Sequence, residues 1–508
     1  MGSIPVHPVT PPLPARTRWR LKALGWHQWL SLLGGLAMLL WGTSGLVHIA
    51  LSSLGPQVAV FLPPERPIDL EGAQPLHETL AKAGITEAAA IKIVVGAEEN
   101  LLQVTGEADA PRRYFRLDDG AELPDHDRAQ AVFLARHHAG LPDTPLQAVT
   151  LVTMFSDDYP AVNRLLPVWR VRFAHAGGLE YWVHTETAAV AAVSNDWKAG
   201  LQLAFQWLHS WSWLKGQSES LRVLVIAVLV GSLLALSASG VVMLWTCRHK
   251  ARGTRRWHRR AGWVLGLPLI CFSTTGVWHL VQNGWTVPTR TLTLSPPLQV
   301  PASGWALSAQ WPQISQGLDV RGVSMVETAT GQRLYRLALA PDAAPQSAQA
   351  LRNARFDGLP NHGPALYLDA IAGTLWAPGD RELALQLGER FTGLDRRHLK
   401  AARLITRFGP GYDFRNKRLP VWALDYGAPL HATLFVDPAT GVLVDRATRA
   451  QQAGTLGFSL FHKWNMLMPL GRVAQNGVIA AMVTACLGLM AGIGLSLWWQ
   501  RRQRLLRR

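Results

Sequence analysis

The stretch "TTGVWH", Thr274 to His279, ends the third of four long apolar runs, and "TSGLVH", Thr43 to His48, ends the first in nearly the same letters. A helix needs about 20 predominantly apolar residues to cross the hydrocarbon core of a bilayer. All four runs reach that length: Leu24–Ala50, Val223–Trp245, Ala261–Gln282 and Ala474–Trp499. The first is too long for a secretory signal and lacks a small-residue cleavage site, so we expect a retained helix. The sequence therefore predicts an α-helical membrane protein with four transmembrane helices.

The formal net charge of +16 lies in three short segments that flank the apolar runs. Residues 1–22, 247–260 and 500–508 together contain 16 Lys and Arg and no Asp or Glu, and the other 34 basic residues are matched by 34 acidic ones. Lysine and arginine are retained on the cytoplasmic side of a membrane protein. Both termini and the middle loop are therefore predicted to be cytoplasmic. A nucleic-acid partner would need a basic face on a folded domain, so this distribution argues for the lipid bilayer and against nucleic acid.

The spans set the predicted order of segments. It is a basic tail (1–22), first helix (23–52), external domain (53–205), outer His-Trp segment (206–222), second helix (223–246), basic loop (247–260), third helix (261–283), second external domain (284–458), second outer His-Trp segment (459–473), fourth helix (474–499) and tail (500–508). Alternating apolar and polar residues around a Gly-Gly turn and a "DPATG" turn predict a β-hairpin in each external domain. Stretches such as "QPLHETLAKAGI" predict short helices, so each domain is expected to be α+β. The Pro-rich residues 5–14 are expected to be disordered.

The chain matches itself in two registers, which indicates a duplication. The first register aligns His27 with His258 and His48 with His279. The second register aligns Phe155 with Phe408, Tyr159 with Tyr412, Asn163 with Asn416, the "LPVW" from Leu166 with that from Leu419, and His209 with His462. The second register has the larger offset, which predicts an insertion in the second external region. Because both halves begin inside, we expect a tandem parallel repeat with its axis along the membrane normal.

Six of the 17 histidines are matched by a histidine in the other half, and all six lie in or beside the spans: His27, His48, His209, His258, His279 and His462. His27 and His48 have the same separation along the chain as His258 and His279. In a helix this separation of about 21 residues leaves two side chains about 60° apart around the axis and roughly 31 Å apart along it. We therefore expect His27 to face His258 at the inner surface. His48 is expected to face His279 at the outer one.

Paired imidazoles on facing helices are the ligands that b-type haem requires, because each ring offers one neutral nitrogen to the iron. The sequence has no CxxC motif, so any metal centre is predicted to rely on histidine or carboxylate. The metal we assign is haem iron, bound through the same six histidines. His209 and His462 precede the second and fourth spans on the outer side. Four outer histidines allow one haem with two spares, or two haems that pair His48 with His462 and His279 with His209. Both stay open, as does the interpretation that these histidines only cap helices or bind headgroups.

Two other features of the spans bear on this hypothesis. Glycines of the first and third spans could let a porphyrin approach the backbone or could serve close helix packing; they are Gly34, Gly35, Gly42, Gly45 and Gly276. No Asp or Glu lies within a predicted span, which argues against a carboxylate-based transporter. A single electron-transfer step of roughly 31 Å between two haem irons would be long. We therefore expect an intermediate outer site or a shallower haem.

The order and repetition of several loose motifs give the chain a resemblance to a known family. The motifs are the helix starts "WHQWLSLLGG" and "WHRRAGWVLG", the segments "LHSWSWLKG" and "FHKWNMLMPLG", and the hairpins "LPVWRV" and "LPVWAL". Over nearly its whole length the chain resembles the PepSY-associated transmembrane family, the iron-regulated inner-membrane proteins of bacteria. The resemblance implies two periplasmic PepSY-like α+β domains, two haems b and ferric-siderophore reduction. It also implies that His27 and His258 are the inner ligands, and His209 and His462 the outer ones.

The resulting hypothesis is an inner-membrane haem b oxidoreductase that reduces a periplasmic ferric chelate such as a ferric siderophore, with copper, haem or another acceptor left open. No nucleotide-binding fingerprint is present, so electrons are expected from a cytoplasmic flavoprotein or a quinone. The alternative is a non-enzymatic PepSY protein that binds a peptide, protease or metal complex, or a metal permease. The first hairpin reads "HTETAAV" where the second has the family's "DPATG". This departure makes ligand binding by both external domains uncertain.

Overall fold

A computed structural model describes residues 15–107, 109–214, 216, 218–246, 252–285, 297–340, 364–409, 411–412 and 418–507. The Pro-rich residues 5–14, residues 247–251 of the basic loop and the repeat residue Asn416 lie outside the described residues. The chain divides into two compact units. The first comprises the described parts of Met1–Leu54, Gly200–Val287 and Gly454–Arg508, and the second those of Gly55–Ala199 and Pro288–Ala453.

The first unit contains four helices long and apolar enough to cross a membrane, as the sequence predicts. They are Ala15–Leu54, Glu219–Thr246, Thr254–Trp285, and a fourth that runs from Arg472–Ala485 through the π-helical Cys486–Gly492 into Ile493–Leu506. We call them the first to fourth helices. The first starts well before its predicted span of 23–52. Its basic segment continues the helix, because Arg and Lys are good helix formers.

Glycines on the first helix allow two of the other helices to pack closely. A Cβ at Gly34 would lie 2.8 Å from Cδ2 of Leu236 on the second helix, and one at Gly42 would lie 2.7 Å from Cδ2 of Leu487 on the fourth. Small residues that permit close backbone approach are typical of membrane helix interfaces. Helix packing therefore accounts for Gly34 and Gly42. Within the part of the chain that the structure describes, Gly35 and Gly45 have no such neighbour within 4 Å.

Short outer segments lead into the second and fourth helices. The first consists of the helix Asp196–Phe205, the π-helical Gln206–Ser210 and the 3₁₀ turn Ser212–Leu214. The second consists of the helix Arg449–Phe461 and the 3₁₀ helix Asn465–Leu470. Trp211 and Trp464, which the second register aligns, have φ of 51° and 52°. A bulky residue in this left-handed region is strained. Each indole ring also contacts an aromatic ring on a helix of the first unit. Trp211 lies 5.9 Å from Trp41, and Trp464 lies 6.0 Å from Phe272.

The second unit is rich in β-sheet. Its strands in the described ranges are β1 Glu87–Ala88, β2 Ala90–Val95, β3 Asn100–Thr105, β4 Arg113–Arg116, β5 Leu146–Val152, β6 Val168–Phe173, β7 Glu180–His184, β8 Ala189–Ser194, β9 Leu298–Gln299, β10 Val320–Glu327, β11 Arg333–Leu339, β12 Ala365–Asp369, β13 Leu399–Ile405, β14 Val421–Tyr426, β15 Ala432–Asp437 and β16 Val442–Thr448. Two antiparallel meanders have the orders β5-β6-β7-β8 and β13-β14-β15-β16. A six-stranded sheet has the order β12-β11-β10-β2-β3-β4, and β1 pairs with β9.

Each meander carries one helix on its apolar face, which gives the α+β character that the sequence predicts. The helix His126–Ala139 packs Ala131 and Leu134 against the β6 and β7 side chains Val171 and Val183. The helix Gly379–Thr392 packs its own leucines against Leu424 and Leu434 in the same way. Shorter helices are Leu76–Lys82, Trp311–Ile314, and the 3₁₀ turns Ala161–Asn163, Leu307–Gln310 and Arg396–His398.

The elements of the two external regions follow one another in the same order. Strands β10 and β11 follow β2 and β3 at nearly the offset of the first register. From β12 onwards the strands and the helix Gly379–Thr392 follow their counterparts at the offset of the second register, to within a residue. The extra residues therefore lie between Leu339 and Ala365.

The central sheet joins strands from both external regions. Strand β2 of the first region pairs antiparallel with β10 of the second, with Ile93 opposite Val323. From the sequence these regions were expected to be separate domains, and the pairing was not anticipated. The two regions therefore share one compact unit.

Candidate functional site

His27 and His258 meet where the first and third helices begin. Their ring centroids are 6.2 Å apart, with an angle of 64° between the ring planes. Metal–imidazole bonds of about 2.0–2.1 Å on opposite sides of one ion place two ring centroids roughly 6 Å apart. The pair predicted from the first register is thus brought together at a separation that one bis-histidine ion would require.

The surroundings of His27 fix which ring nitrogen carries its proton. Its Nδ1 lies 3.1 Å from the carbonyl oxygen of Leu236 and 3.3 Å from Oγ of Ser239. A carbonyl can only accept, so Nδ1 is the donor and Nε2 keeps its lone pair. A Cβ at Gly240 would lie 3.2 Å from Cε1 of the ring, so this glycine lets the imidazole pack against the second helix.

His258 has the corresponding surroundings in the other half. Its backbone neighbour is Leu489, which the second register aligns with Leu236, but its Nδ1 is buried without a hydrogen bond of good geometry. A Cβ at Gly494 would lie 3.7 Å from its Cε1. Gly494 stands one residue beyond the position that the second register aligns with Gly240. The π-helical Cys486–Gly492 supplies the additional residue, since a π-helical turn holds more residues than an α-helical one.

The four remaining matched histidines lie around two equivalent phenylalanines. Phe205 and Phe458 are aligned by the second register and lie in the helices that precede the second and fourth spans. Their ring-centroid distances are 4.8 Å from Phe205 to His48, 4.6 Å from Phe205 to His209, 4.3 Å from Phe458 to His279 and 4.4 Å from Phe458 to His462. Each half therefore gathers its two outer imidazoles on one phenyl ring.

Two hydroxyl groups set the tautomers of His209 and His462. Ser44 Oγ donates to the Trp41 carbonyl at 3.2 Å and lies 2.9 Å from Nδ1 of His209. Thr275 Oγ1 donates to the Cys271 carbonyl at 2.6 Å and lies 3.2 Å from Nδ1 of His462. Because each hydroxyl has already given its hydrogen, it accepts from Nδ1–H and leaves Nε2 with a lone pair.

Ser44 and Thr275 stand at the same place in "TSGLVH" and "TTGVWH". The repeat drew attention to both stretches, but these two residues were assigned no role from the sequence. A hydroxyl kept at one position of both copies was the available signal. Phe205 and Phe458 were likewise missed, although the second register aligns them.

We call these four histidines the outer cluster, and burial lowers the pKa of two of them. Burial, and then the imidazoles of His462, His48 and His279, lower the pKa of His209 to about 3. Burial, and then His279, lower the pKa of His462 to about 4. The imidazoles of His209 and His462 are therefore neutral at neutral pH and can supply nitrogen ligands.

The matched histidines differ from the buried ones of the second unit. His48 is exposed, and the other five retain part of their surface in a bundle of helices. His138 and His184 are fully buried, and both ring nitrogens are engaged, for example Nε2 of His184 with Nη2 of Arg112 at 2.7 Å. The unmatched pair serves the fold, whereas Nε2 of His27, His209 and His462 keeps a lone pair.

Paired imidazoles suit an ion that receives its other ligands from a macrocycle. In the described parts of the chain, no three His, Cys, Asp or Glu side chains are grouped so as to hold a bare metal ion. The inner pair His27 and His258 can supply two imidazole nitrogens to one ion. Comparison of the chain with protein-family models, curated proteins and solved structures gives no match.

Proposed function

We propose that this chain is a haem b oxidoreductase of the bacterial inner membrane that passes electrons outward to a periplasmic ferric chelate. One observation carries the proposal: His27 and His258, from equivalent positions of the two halves, have ring centroids 6.2 Å apart. The outer cluster at the other end of the same helices provides a second group of imidazoles. Two haem sites on opposite sides of the membrane are what an outward electron path needs.

The chain's own residues would hold and orient the histidines that bind the haem. Leu236 fixes the proton of His27, and Ser44 and Thr275 fix those of His209 and His462. Such outer hydrogen bonds set the tautomer of a metal-bound histidine and raise its basicity. When bound, haem b supplies reversible one-electron iron chemistry.

The direction of transfer follows from the charge distribution. The inner pair lies next to the basic segments, which the positive-inside rule assigns to the cytoplasm. The second unit then lies in the periplasm, with both termini inside, as expected for a tandem parallel repeat. Each electron that arrives outside converts one Fe(III) to Fe(II). Oxygen-rich siderophores bind Fe(II) much more weakly than Fe(III), so reduction releases the iron.

The electron donor is a partner. The sequence contains no nucleotide-binding fingerprint, so the donor we propose is a cytoplasmic flavoprotein or a membrane quinol. The resemblance to the PepSY-associated family supports the same reaction and assigns the same inner histidines. The proposed substrate class is a ferric siderophore.

The test is a dithionite-reduced minus oxidised absorption spectrum of the purified protein, with a pyridine haemochrome count. We expect a b-type α-band and two haems per chain, lost in part in His27→Ala, His258→Ala, His48→Ala and His209→Ala. His175→Ala, at an exposed histidine of the second unit, is the matched control and should keep the full count. A folded but colourless protein would contradict the proposal and favour a binding protein or a permease.

A further inference from the structure

We propose that a groove on the first helix binds the phosphate of an anionic phospholipid. The groove has a volume of about 380 Å³ and is lined, among the described residues, by Lys22, Gly25, Trp26 and Trp29. It lies at the basic end of the helix, within the first unit. The site concerns the lipid that surrounds the protein, so it goes beyond the proposed electron transfer and does not depend on it.

The helical spacing puts the lining side chains on one face of the first helix. At about 100° per residue, Lys22, Trp26 and Trp29 lie within about 60° of one another around the axis. Trp26 and Trp29 are 60% and 77% exposed, whereas Ala23 and Leu30, about a quarter-turn around the helix from Lys22, are buried. The lined face therefore points away from the bundle, and the groove opens towards the surrounding lipid.

Gly25 leaves the gap that forms the groove. A Cβ at this position would meet no described atom within 4 Å beyond its own neighbours in the helix, and Lys22 and Trp29 stand about one turn before and after it. The Nζ of Lys22 lies 5.9 Å from the ring centroid of Trp19. Because an ammonium group is attracted to the face of an indole, this contact holds the cation at one end of the groove.

The second half of the chain has different residues at the equivalent place. The first register aligns Gly25 with Arg256 and Trp29 with Arg260. The guanidinium of Arg260 lies over the indole of Trp257, 5.3 Å from its centroid. Two cations therefore stand where the first half has a glycine and an open indole. Inheritance from a common ancestor of the two halves does not by itself account for the groove.

The charge at this end of the bundle favours an anion from outside the chain. Residues 1–22 contain four Lys and Arg and no Asp or Glu, and the basic segments 247–260 and 500–508 contain no acidic residue either. These segments therefore cannot supply a carboxylate to Lys22. Basic residues next to a membrane helix are attracted to anionic headgroups by about 1 kcal/mol each, and a lysine binds phosphate as a point charge.

The same face continues along the helix in the order that a phospholipid requires. Leu33 and Leu36 lie within about 40° of Lys22 around the axis, and both are exposed. Lys22 and Leu36 are roughly 21 Å apart along the axis, which is about the depth of one leaflet with its headgroups. Tryptophan is enriched at the boundary between headgroups and acyl chains. The face therefore offers a cation to the phosphate, indoles to the boundary and leucines to an acyl chain.

The experiment measures lipid binding to the purified full-length protein in detergent by native mass spectrometry. The probes are phosphatidylglycerol, which is anionic, and phosphatidylcholine with the same acyl chains, which has no net charge. Lys22→Gln removes the cation, and Gly25→Leu fills the groove. Arg256→Gln is the control for charge. Gly231→Leu is the control for volume, since a Cβ at this glycine of the second helix would also meet no described atom within 4 Å. Size-exclusion chromatography and circular dichroism check that each variant is folded.

We expect Lys22→Gln to lower the affinity for the first phosphatidylglycerol about fivefold, which corresponds to about 1 kcal/mol, with little change for phosphatidylcholine. Gly25→Leu should abolish the preference for phosphatidylglycerol, and both controls should behave as the unmodified protein. Folded Lys22→Gln and Gly25→Leu proteins that match their controls would overturn the inference, as would equal losses for the two lipids in Lys22→Gln. Inorganic phosphate at the lipid's concentration should not displace phosphatidylglycerol. Displacement would indicate a site for a soluble anion and would overturn the lipid assignment.

Discussion

A single hydrogen-bond acceptor at Ser44 or Thr275 decides which nitrogen of an outer histidine is available. The two hydroxyls contact equivalent histidines, His209 and His462, over distances along the chain of 165 and 187 residues. No local sequence pattern encodes a contact of that separation. The repeat could identify the histidines because they recur as identical letters, whereas Ser44 and Thr275 differ in identity and share only the hydroxyl group.

Removal of the Ser44 hydroxyl is predicted to weaken the outer site alone. In Ser44→Ala, Nδ1–H of His209 loses its acceptor, and the loss of such an outer partner lowers metal affinity about 10- to 100-fold. Haem retention during dilution, followed by a pyridine haemochrome count, measures the effect. Ser31→Ala removes a hydroxyl of the same helix that donates to the Gln28 carbonyl and should retain both haems. Equal retention in the two variants would show that the Ser44 contact does not support the site.

At the scale of elements, hydropathy predicted the existence of the helices better than their ends. Four spans were found because the apolar content of about 20 consecutive residues is a local property. The ends differ because Arg16, Arg18 and Arg20 extend the first helix without being apolar. The π-helical Cys486–Gly492 was not predicted, since a single extra residue leaves the hydropathy unchanged. In the sequence, the extra residue of the π-helical turn is visible because Gly494 stands one position after the residue that the second register aligns with Gly240.

Helix packing at Gly34 is predicted to be required for the inner histidine. A Cβ at this position would lie 2.8 Å from Leu236 Cδ2 and 3.3 Å from the Ser232 carbonyl. Gly34→Val should therefore destabilise the bundle by about 1–3 kcal/mol and move the Leu236 carbonyl away from His27. Thermal unfolding in detergent and the inner haem count are the two measurements.

Gly231→Val is the control for that substitution. It introduces the same side chain into the second helix at a glycine with no neighbouring atom within 4 Å. Its unfolding temperature and haem count should stay near those of the unmodified protein. A Gly34→Val protein as stable as this control would mean that the helices can separate without cost, contrary to the packing described.

At the scale of the whole molecule, the two external regions are joined by a buried ionic network in the second unit. Arg418 of the second region donates from Nη2 to Glu186 of the first at 2.6 Å and from Nη1 to Asp437 at 2.9 Å. Lys92 lies 3.5 Å from the other Glu186 oxygen. Glu186 belongs to the "HTETAAV" turn, whose departure from "DPATG" raised doubt about ligand binding. In the structure this turn carries the carboxylate that meets Arg418.

The pairing of β2 with β10, which joins the two external regions, could not be predicted from the sequence. Strands β2 and β10 lie in different halves of the chain, and neither has a strict alternation of buried and partly exposed residues. The sequence identifies strands by local alternation, but their partners are chosen by packing of the assembled sheet. The repeat predicts equivalent elements and carries no information on whether the two copies pair with each other.

The ionic network is predicted to make the second unit sensitive to acid through Glu186. Burial opposes ionisation of this carboxyl, but Arg418 and Lys92 outweigh it and hold its pKa well below the usual range. The ionised Glu186 carboxylate therefore contributes its full stabilisation above the unfolded-state pKa of about 4.3. This stabilisation is lost as the pH falls below that value, because Glu186 is protonated in the unfolded chain before it is protonated in the folded one. Glu186→Gln should cost about 3–5 kcal/mol at neutral pH, because Arg418 and Lys92 lose a buried partner.

Hydrogen–deuterium exchange of β7 and β15 in the full-length protein measures this cost as the free energy of local opening. The difference between Glu186→Gln and the unmodified protein should be largest near pH 7 and should shrink as the pH is lowered below about 4.3. Glu122→Gln breaks an ion pair whose side chains are 41% and 40% exposed, so its effect should stay below about 1 kcal/mol. A pH-independent difference for Glu186→Gln would show that its carboxylate charge does not hold the two regions together.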